Sequence, residues 1–433
     1  MNVHVFKKER NYSFIDVRPG DWVVIKPNLV KQSKETDPNE WESVITSPML
    51  IREVLEDVCV KLKGEGRITI CDAPQTDSSF REIAKLLDLD TFILNSSQKY
   101  RIQIELVDLR DEEWTAEEGI IVRREKLKGD PNGKIAINLG KFSLFYKHKG
   151  EGKYYGADYD SQIVNRHHHG ETQEYLICGT PTRCDVFINM PKMKTHKKTG
   201  VTLSLKNLVG INADKNWLPH HTEGSPDDGG DQFPVLGFLQ KLENVSVHFA
   251  RKLALRIPVL GPMVAKKMRA AGTKVFGETQ KVIRSGNWYG NNTTWRMSLD
   301  LNRCLLYGNM DGSLRMDQPK RYYTVVDGLI GMEGEGPMQG FPIHSNVVIG
   351  GIDPVAVDIV AARYMGFDYR KIPILRESLK LVDLPITKIK NPSELQIVSD
   401  VPELNVPFSE YEKMEHMKFE PHFGWKGHIE YGG

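Results

Sequence analysis

A chain of 433 residues with 58 Lys and Arg against 57 Asp and Glu carries a formal charge of +1, so no global field favours nucleic acid and only local charge asymmetry is informative. Its 40% hydrophobic and 27% charged content are ordinary for a soluble globular protein, and the length suits two domains or one large α/β domain with insertions. Cys59, Cys71, Cys178, Cys184 and Cys304 form no CxxC pair, which signals neither a disulfide framework nor a zinc or iron–sulfur site. The N-terminus lacks the apolar run of a secretory signal, and no segment approaches the roughly 18 apolar residues that span a bilayer. The expectation is a cytoplasmic protein.

Trp22–Ile25 reads as an apolar strand ending in Lys26-Pro27-Asn28. A helix opens at Ser47 with Pro48 at its first position, repeats Leu50, Val54, Val58 and Leu62 every four residues, and stops at Gly64 and Gly66. Arg67–Cys71 is the next strand, ending in Asp72. Strand, helix and strand with this crossover predict a right-handed parallel βαβ unit. A helix near Phe80–Leu87 and a strand near Ile104–Val107 continue the pattern. From Trp114 to Ile177 the chain turns polar, with Gly150–Gly156 and His167-His168-His169, and reads as an insertion.

Val186–Ile188 resumes the parallel pattern and breaks at Asn189 and Pro191 into a loop carrying Lys192, Lys194, His196, Lys197 and Lys198 without an acid. Thr199–Ile211 fits both a strand and a helix. As a helix it places Thr202 and Lys206 on one face, followed by Asn207, and aims its free N–H groups at the lysine loop as an anion site. A second insertion runs from Asn212 to Lys320. Within it, His248–Arg284 holds nine Lys or Arg and one acid, a basic amphipathic stretch suited to an anionic membrane surface or an acidic partner. Trp288–Asn292 and Trp295 suit either stacking on a sugar ring or packing of the insertion. Strands at Tyr323–Val326 and Val347–Gly350 close the pattern. A helix comes next, with Asp353 as cap, Pro354 at its first position and Gly366 past its end.

Between those two strands, Asp327–Pro337 (DGLIGMEGEGP) is neither a dinucleotide fingerprint nor a P-loop. Its glycines, Gly334 and Gly336 among them, suit close approach to a ligand. Its carboxylates Asp327, Glu333 and Glu335 suit a divalent cation, and Asp327 also suits a general base. In open parallel sheets ligands bind beyond the carboxyl ends of the strands, which is where Lys26, Asn28, Asp72, the lysine–histidine segment and Asp327 all fall.

The strings VVIKPNLV, INMPKMKTHKKTGVTLSLKNLVGI, VVDGLIGMEGEGP and VVIGGIDPVAVDIVAARYMGF, in this order between residues 22 and 366, resemble the bacterial and archaeal domain-of-unknown-function family three-six-two. The resemblance implies no reaction. Some members carry a ferredoxin-like segment with CxxCxxC spacing, and this chain has none, so no iron–sulfur cluster motif accompanies it here.

The expected architecture is α/β, a mainly parallel sheet with flanking helices and two large irregular insertions. Residues 1–113 form an N-terminal α/β half and 114–177 an insertion. Residues 178–211 with 321–433 form the C-terminal half, and 212–320 the second insertion. The leading functional expectation is an enzyme acting on a small phosphorylated or carboxylated substrate, sugar derivatives included. Lys26, Asn28, Lys192, Thr202, Lys206, Asn207, Gly334 and Gly336 bind it. His196, Lys194 and Asp327 are the catalytic candidates, and Asp327, Glu333 and Glu335 the candidate ligands of a divalent metal. A second reading is a non-catalytic accessory protein docked through residues 248–284, and a third is a redox protein that has lost its cluster motif.

Overall fold

The computed structural model describes residues 1–117, 120–158, 160–235, 282–316 and 320–432. Residues 248–281 of the basic amphipathic stretch lie outside the described residues. The centre of the fold is an 11-stranded mixed sheet, β1 Asn2–Phe6, β2 Trp22–Pro27, β3 Arg67–Asp72, β4 Gln103–Asp108, β5 Val186–Met190, β6 Lys192–His196, β7 Gly200–Thr202, β8 Arg321–Glu333, β9 Phe341–Ile343, β10 Val347–Gly351 and β11 Gln396–Ser399. The main path runs β11-β1-β10-β8-β5-β2-β3-β4, and the block β8-β5-β2-β3-β4 is parallel throughout. β10 lies antiparallel between β8 and β1.

Burial on both faces explains the strand sequences. Every residue of WVVIKP, VFINM and VVIGG is buried, as strands covered on both sides require. Alternate residues supply two separate cores. Val23, Ile25, Ile68, Ile70, Val186 and Ile188 pack with the apolar stripe of α1 (Pro48–Leu62). Trp22, Val24, Phe187, Val326 and Ile349 pack into the core on the opposite face.

The described parts of the two insertions are more ordered than their sequences suggest. In the first, Lys134–Asn138, His168–His169 and Thr172–Cys178 form a three-stranded sheet. Tyr154–Gly156 from the first pairs antiparallel with Pro219–Thr222 from the second, so the two insertions share a ribbon. Short α2 (Ser204–Asn207) lies between the insertions and the sheet, and the buried helix α3 (Thr294–Tyr307) braces it, Asn302 Nδ2 donating to the Leu205 carbonyl at 2.9 Å. Composition concealed α3 because it is amphipathic in an unusual sense, with Ser298, Asp300, Asn302 and Arg303 as buried as its leucines and each engaged by a polar partner.

The helix α4 (Pro354–Tyr364) is buried along its whole length. Its cap residue Asp353 accepts from Val355 N and Ala356 N at 3.0 Å through one oxygen, and from Thr387 Oγ1 at 2.7 Å through the other. Asp353→Ala removes both the cap and the tether to residue 387, and is expected to lower stability by about 1–2 kcal/mol, read as a fall in melting temperature.

Candidate functional site

The segment 192–196 is a strand, not the loop its lysines suggested. Pro191 ends the pairing of β5 with β2, and β6 then continues alongside β8, with Lys192 level with Asp327. Strand alternation sorts the side chains. Lys192, Lys194 and His196 share one face, while Met193 and Thr195 point to the other. On the second face Thr195 Oγ1 donates to the Gly334 carbonyl at 2.9 Å.

All three residues of the first face are buried, as is Lys26. Lys26 Nζ pairs with Asp72 Oδ1 at 2.7 Å, and Lys192 Nζ with Asp327 Oδ2 at 2.9 Å. Asp72 also accepts from Leu29 N at 2.7 Å, which ties the end of β2 to the end of β3. Gly210 sits directly over the first pair, where an added Cβ would run into Asp72 Oδ1 and come within 2.6 Å of Lys26 Nζ.

Lys194 has no carboxylate partner among the described residues. Its Nζ donates to Asn28 Oδ1 at 3.0 Å and to the Val44 carbonyl at 2.7 Å. Asn28 Nδ2 in turn donates to Asn207 Oδ1 at 2.8 Å, Asn207 Nδ2 to Asn189 Oδ1 at 2.7 Å, and Asn189 Nδ2 to the Tyr322 hydroxyl at 2.8 Å. This buried chain of amides fixes the ends of β2, β5 and α2 relative to each other. Burial, then the charges of Lys192 and Lys206, push the Lys194 amine well below its ordinary range.

Lys206, on α2, is 9% exposed and has no hydrogen-bond or ion-pair partner among the described residues. Burial, with the nearby charges of Lys215, Lys26 and Lys197, brings its amine down to about 7. Lys198 is brought to about 7 and Lys215 to about 8, burial being the chief cause in each. These two donate only to carbonyls, Lys198 to His220 O at 3.0 Å and Lys215 to Val209 O at 2.8 Å. The His196 ring accepts from Lys198 N at 3.0 Å through Nδ1, so in the neutral ring the proton resides on Nε2. Burial and the charge of Lys206 keep that ring neutral. Thr202, opposite Lys194 on β7, has a buried hydroxyl without a partner.

Several expected roles have to be redrawn. The N–H groups opening α2 are already taken, Ser204 N and Leu205 N donating to Asp358 at 2.8 and 2.9 Å, so that helix end is filled by a carboxylate of α4. Gly334 N donates to Glu420 O and Gly336 N to Gly334 O, which leaves neither amide open to a ligand. Gly336 instead permits close packing, since a Cβ there would strike the Thr195 carbonyl, and Gly334 supplies a positive φ of 71°. Asp327 is engaged by three donors, Ser47 N at 2.7 Å, Lys192 Nζ at 2.9 Å and Leu329 N at 3.1 Å. Glu333 holds Glu420 N, and Glu335 pairs with His422 Nε2 at 2.9 Å. The three carboxylates thus have separate partners, and among the described residues no group of three or more His, Cys, Asp or Glu side chains is placed to hold a metal. Lys215, Gly210, Asp358 and the Val44 carbonyl joined the site without a sequence signal, because each reaches it only through folding.

The family comparison adds a boundary to this geometry. The sequence pattern described as Domain of unknown function (DUF362) matches residues 116–363. The chain belongs to this family. The match includes β5, β6, α2 and Asp327 but not β2 and β3, so Lys26, Asn28 and Asp72 come from outside it. No curated protein matches the chain. A crystal structure of a Thermotoga maritima protein is similar at 10% identity and a TM-score of 0.28, over 76% of this chain. The chain spans about half (50%) of the length of that protein. Among the described residues, no helix is long and apolar enough to cross a membrane.

Two substitutions test the buried pairs. Asp72→Asn leaves Lys26 as an uncompensated buried cation and is expected to cost about 3–5 kcal/mol, measured as loss of stability in denaturant titration. Gly210→Ala keeps every charge but forces the pair apart. It is expected to lower the melting temperature without altering the net charge, and an unchanged melting temperature would show that the close approach is unimportant.

Proposed function

We propose that this protein is a cytoplasmic enzyme that binds a small phosphorylated or carboxylated substrate against Lys194, Lys206, Thr202 and His196 at the carboxyl edge of the sheet. One observation carries the reading: Lys194 and Lys206 are buried together with no carboxylate partner among the described residues. Burying an unpaired ammonium costs several kcal/mol, and a bound anion offsets that cost while drawing protons back onto the amines. Lysine ammonium groups act on phosphate or carboxylate as point charges, and the Thr202 hydroxyl supplies a directional hydrogen bond.

Acid–base chemistry near neutral pH favours an enzyme over an inert binder. A histidine with a free Nε2–H and an amine titrating at about 7 provide a donor and an acceptor in one place. Five buried free cysteines suit a reducing compartment.

The anion reading is tested by thermal shift and calorimetry with inorganic phosphate and citrate. Either anion is expected to raise the melting temperature, and Lys194→Met to weaken binding by about 1.5–3 kcal/mol, roughly 10- to 150-fold. If neither anion binds at millimolar concentration, the reading is overturned.

The pH dependence has a definite sign. Lys206 titrates at about 7 in the folded chain against an ordinary 10.5, so between these values the unfolded chain holds more protons. The anion-free protein is therefore expected to gain stability as pH rises from 7 towards 10, because the unfolded state loses its advantage in proton binding. Phosphate affinity is expected to move the opposite way, falling across the same window as protonated lysine is lost. Melting curves and titrations between pH 6.5 and 9.5 check both slopes.

A further inference from the structure

Lys206 differs from the other amines at the sheet edge in what surrounds its nitrogen. Lys26 and Lys192 are held by carboxylates. Lys194 and Lys215 each give two hydrogens to oxygen acceptors, and Lys198 gives one to His220 O. Lys206 Nζ is engaged by none of the described residues, although the side chain is nine-tenths buried. It stands on α2, a rigid element fixed at one end by Asp358 and at the other by the Asn207–Asn28 and Asn207–Asn189 hydrogen bonds. A side chain nine-tenths buried, with an amine that is unbonded and flanked by other cations, is the arrangement that leaves a lysine lone pair available for covalent chemistry.

The neighbour is suited to the same chemistry. His196 presents a neutral ring whose Nδ1 is occupied by Lys198 N and Thr199 N, which leaves an Nε2–H as a proton donor. The charge of Lys206 acts on this ring and lowers its proton affinity.

We propose that Lys206 is a covalent nucleophile that forms an imine with a carbonyl compound carrying a phosphate or carboxylate group. This rests on the anion-binding reading above and narrows its substrate class to anionic aldehydes and ketones. The neutral Lys206 amine attacks the carbonyl carbon, forming the C–N bond as the C=O π bond opens, and one proton passes from the nitrogen to the oxygen to give a carbinolamine. The C–O bond then breaks, the oxygen leaving as water with a proton taken from His196 Nε2–H, while the nitrogen lone pair forms the C=N bond and the remaining N–H proton returns to His196 Nε2. One water is released, and no oxidant or reductant enters. Lys194 and the Thr202 hydroxyl hold the anionic group while this occurs.

The experiment uses the full chain with pyridoxal 5′-phosphate as an anionic aldehyde, reduction with sodium cyanoborohydride, and peptide mass mapping, with and without inorganic phosphate. Phosphate binding by thermal shift is measured in parallel. The expected result is a label on Lys206 that forms at substoichiometric aldehyde and is suppressed at least fivefold by phosphate. Lys206→Arg keeps the cation but cannot form an imine, and is expected to lose that label while still melting cooperatively. If phosphate binds but Lys206 stays unlabelled, or the label falls only on exposed lysines, the covalent role is overturned and anion binding stands. If phosphate neither binds nor protects, the anion reading itself fails and this inference falls with it.

Discussion

At the carboxyl edge of the central sheet, cations outnumber the acids that face them, and much of the local architecture stems from that imbalance. Asp72 and Asp327 neutralise Lys26 and Lys192. Lys194, Lys198, Lys206 and Lys215 are left to carbonyls, amides or nothing. A low-dielectric edge cannot readily hold four full charges near one another, so their proton affinities fall. The proposed anion site rests on this same imbalance.

The rest of the fold holds this edge together. The amide chain from Asn28 through Asn207 and Asn189 to Tyr322 joins strands distant in sequence, and each member is buried and hydrogen-bonded to the next. Buried networks of this kind specify one arrangement when fully satisfied and are costly when broken. The insertions contribute support: α3 braces α2, and the shared ribbon between Tyr154–Gly156 and Pro219–Thr222 carries the segment whose His220 carbonyl receives Lys198. The C-terminal segment closes the opposite side, with Glu333 and Glu335 anchoring residues 420–423 and Trp425 Nε1 donating to the Lys197 carbonyl at 2.8 Å. The acidic glycine-rich turn is therefore a fastening for the C-terminal segment.

Residues governed by local pattern were legible beforehand. The α1 stripe, the Asp353 cap with Pro354, and the apolar strands at 22, 67, 186 and 347 rest on spacing and capping rules that hold within a few residues. The clustering of Lys26, Asn28, Lys192 and Lys194 came from one topological rule, that parallel strands end together. By contrast, KMKTH looked like a loop because Asn189 and Pro191 interrupt the strand before it, and only pairing with β7 and β8 makes it a strand. The α2 terminus looked open because Asp358 lies 154 residues from Ser204 in sequence.

What the sequence alone determined was the class of fold, the family resemblance and the stretch of chain where unpaired positive charge gathers, since all three reside in local pattern. Tertiary structure decided which charges remain unpaired. That selection depends on distances between side chains on β2, β3, β6, α2 and β8, and no local rule contains them. Asp327 is taken up by Lys192 and a helix entrance, Asp358 by the start of α2, and Lys206 is left with no partner among the described residues. The reason is physical: propensity and capping act over a few residues, whereas charge compensation is settled only when the whole sheet edge has closed.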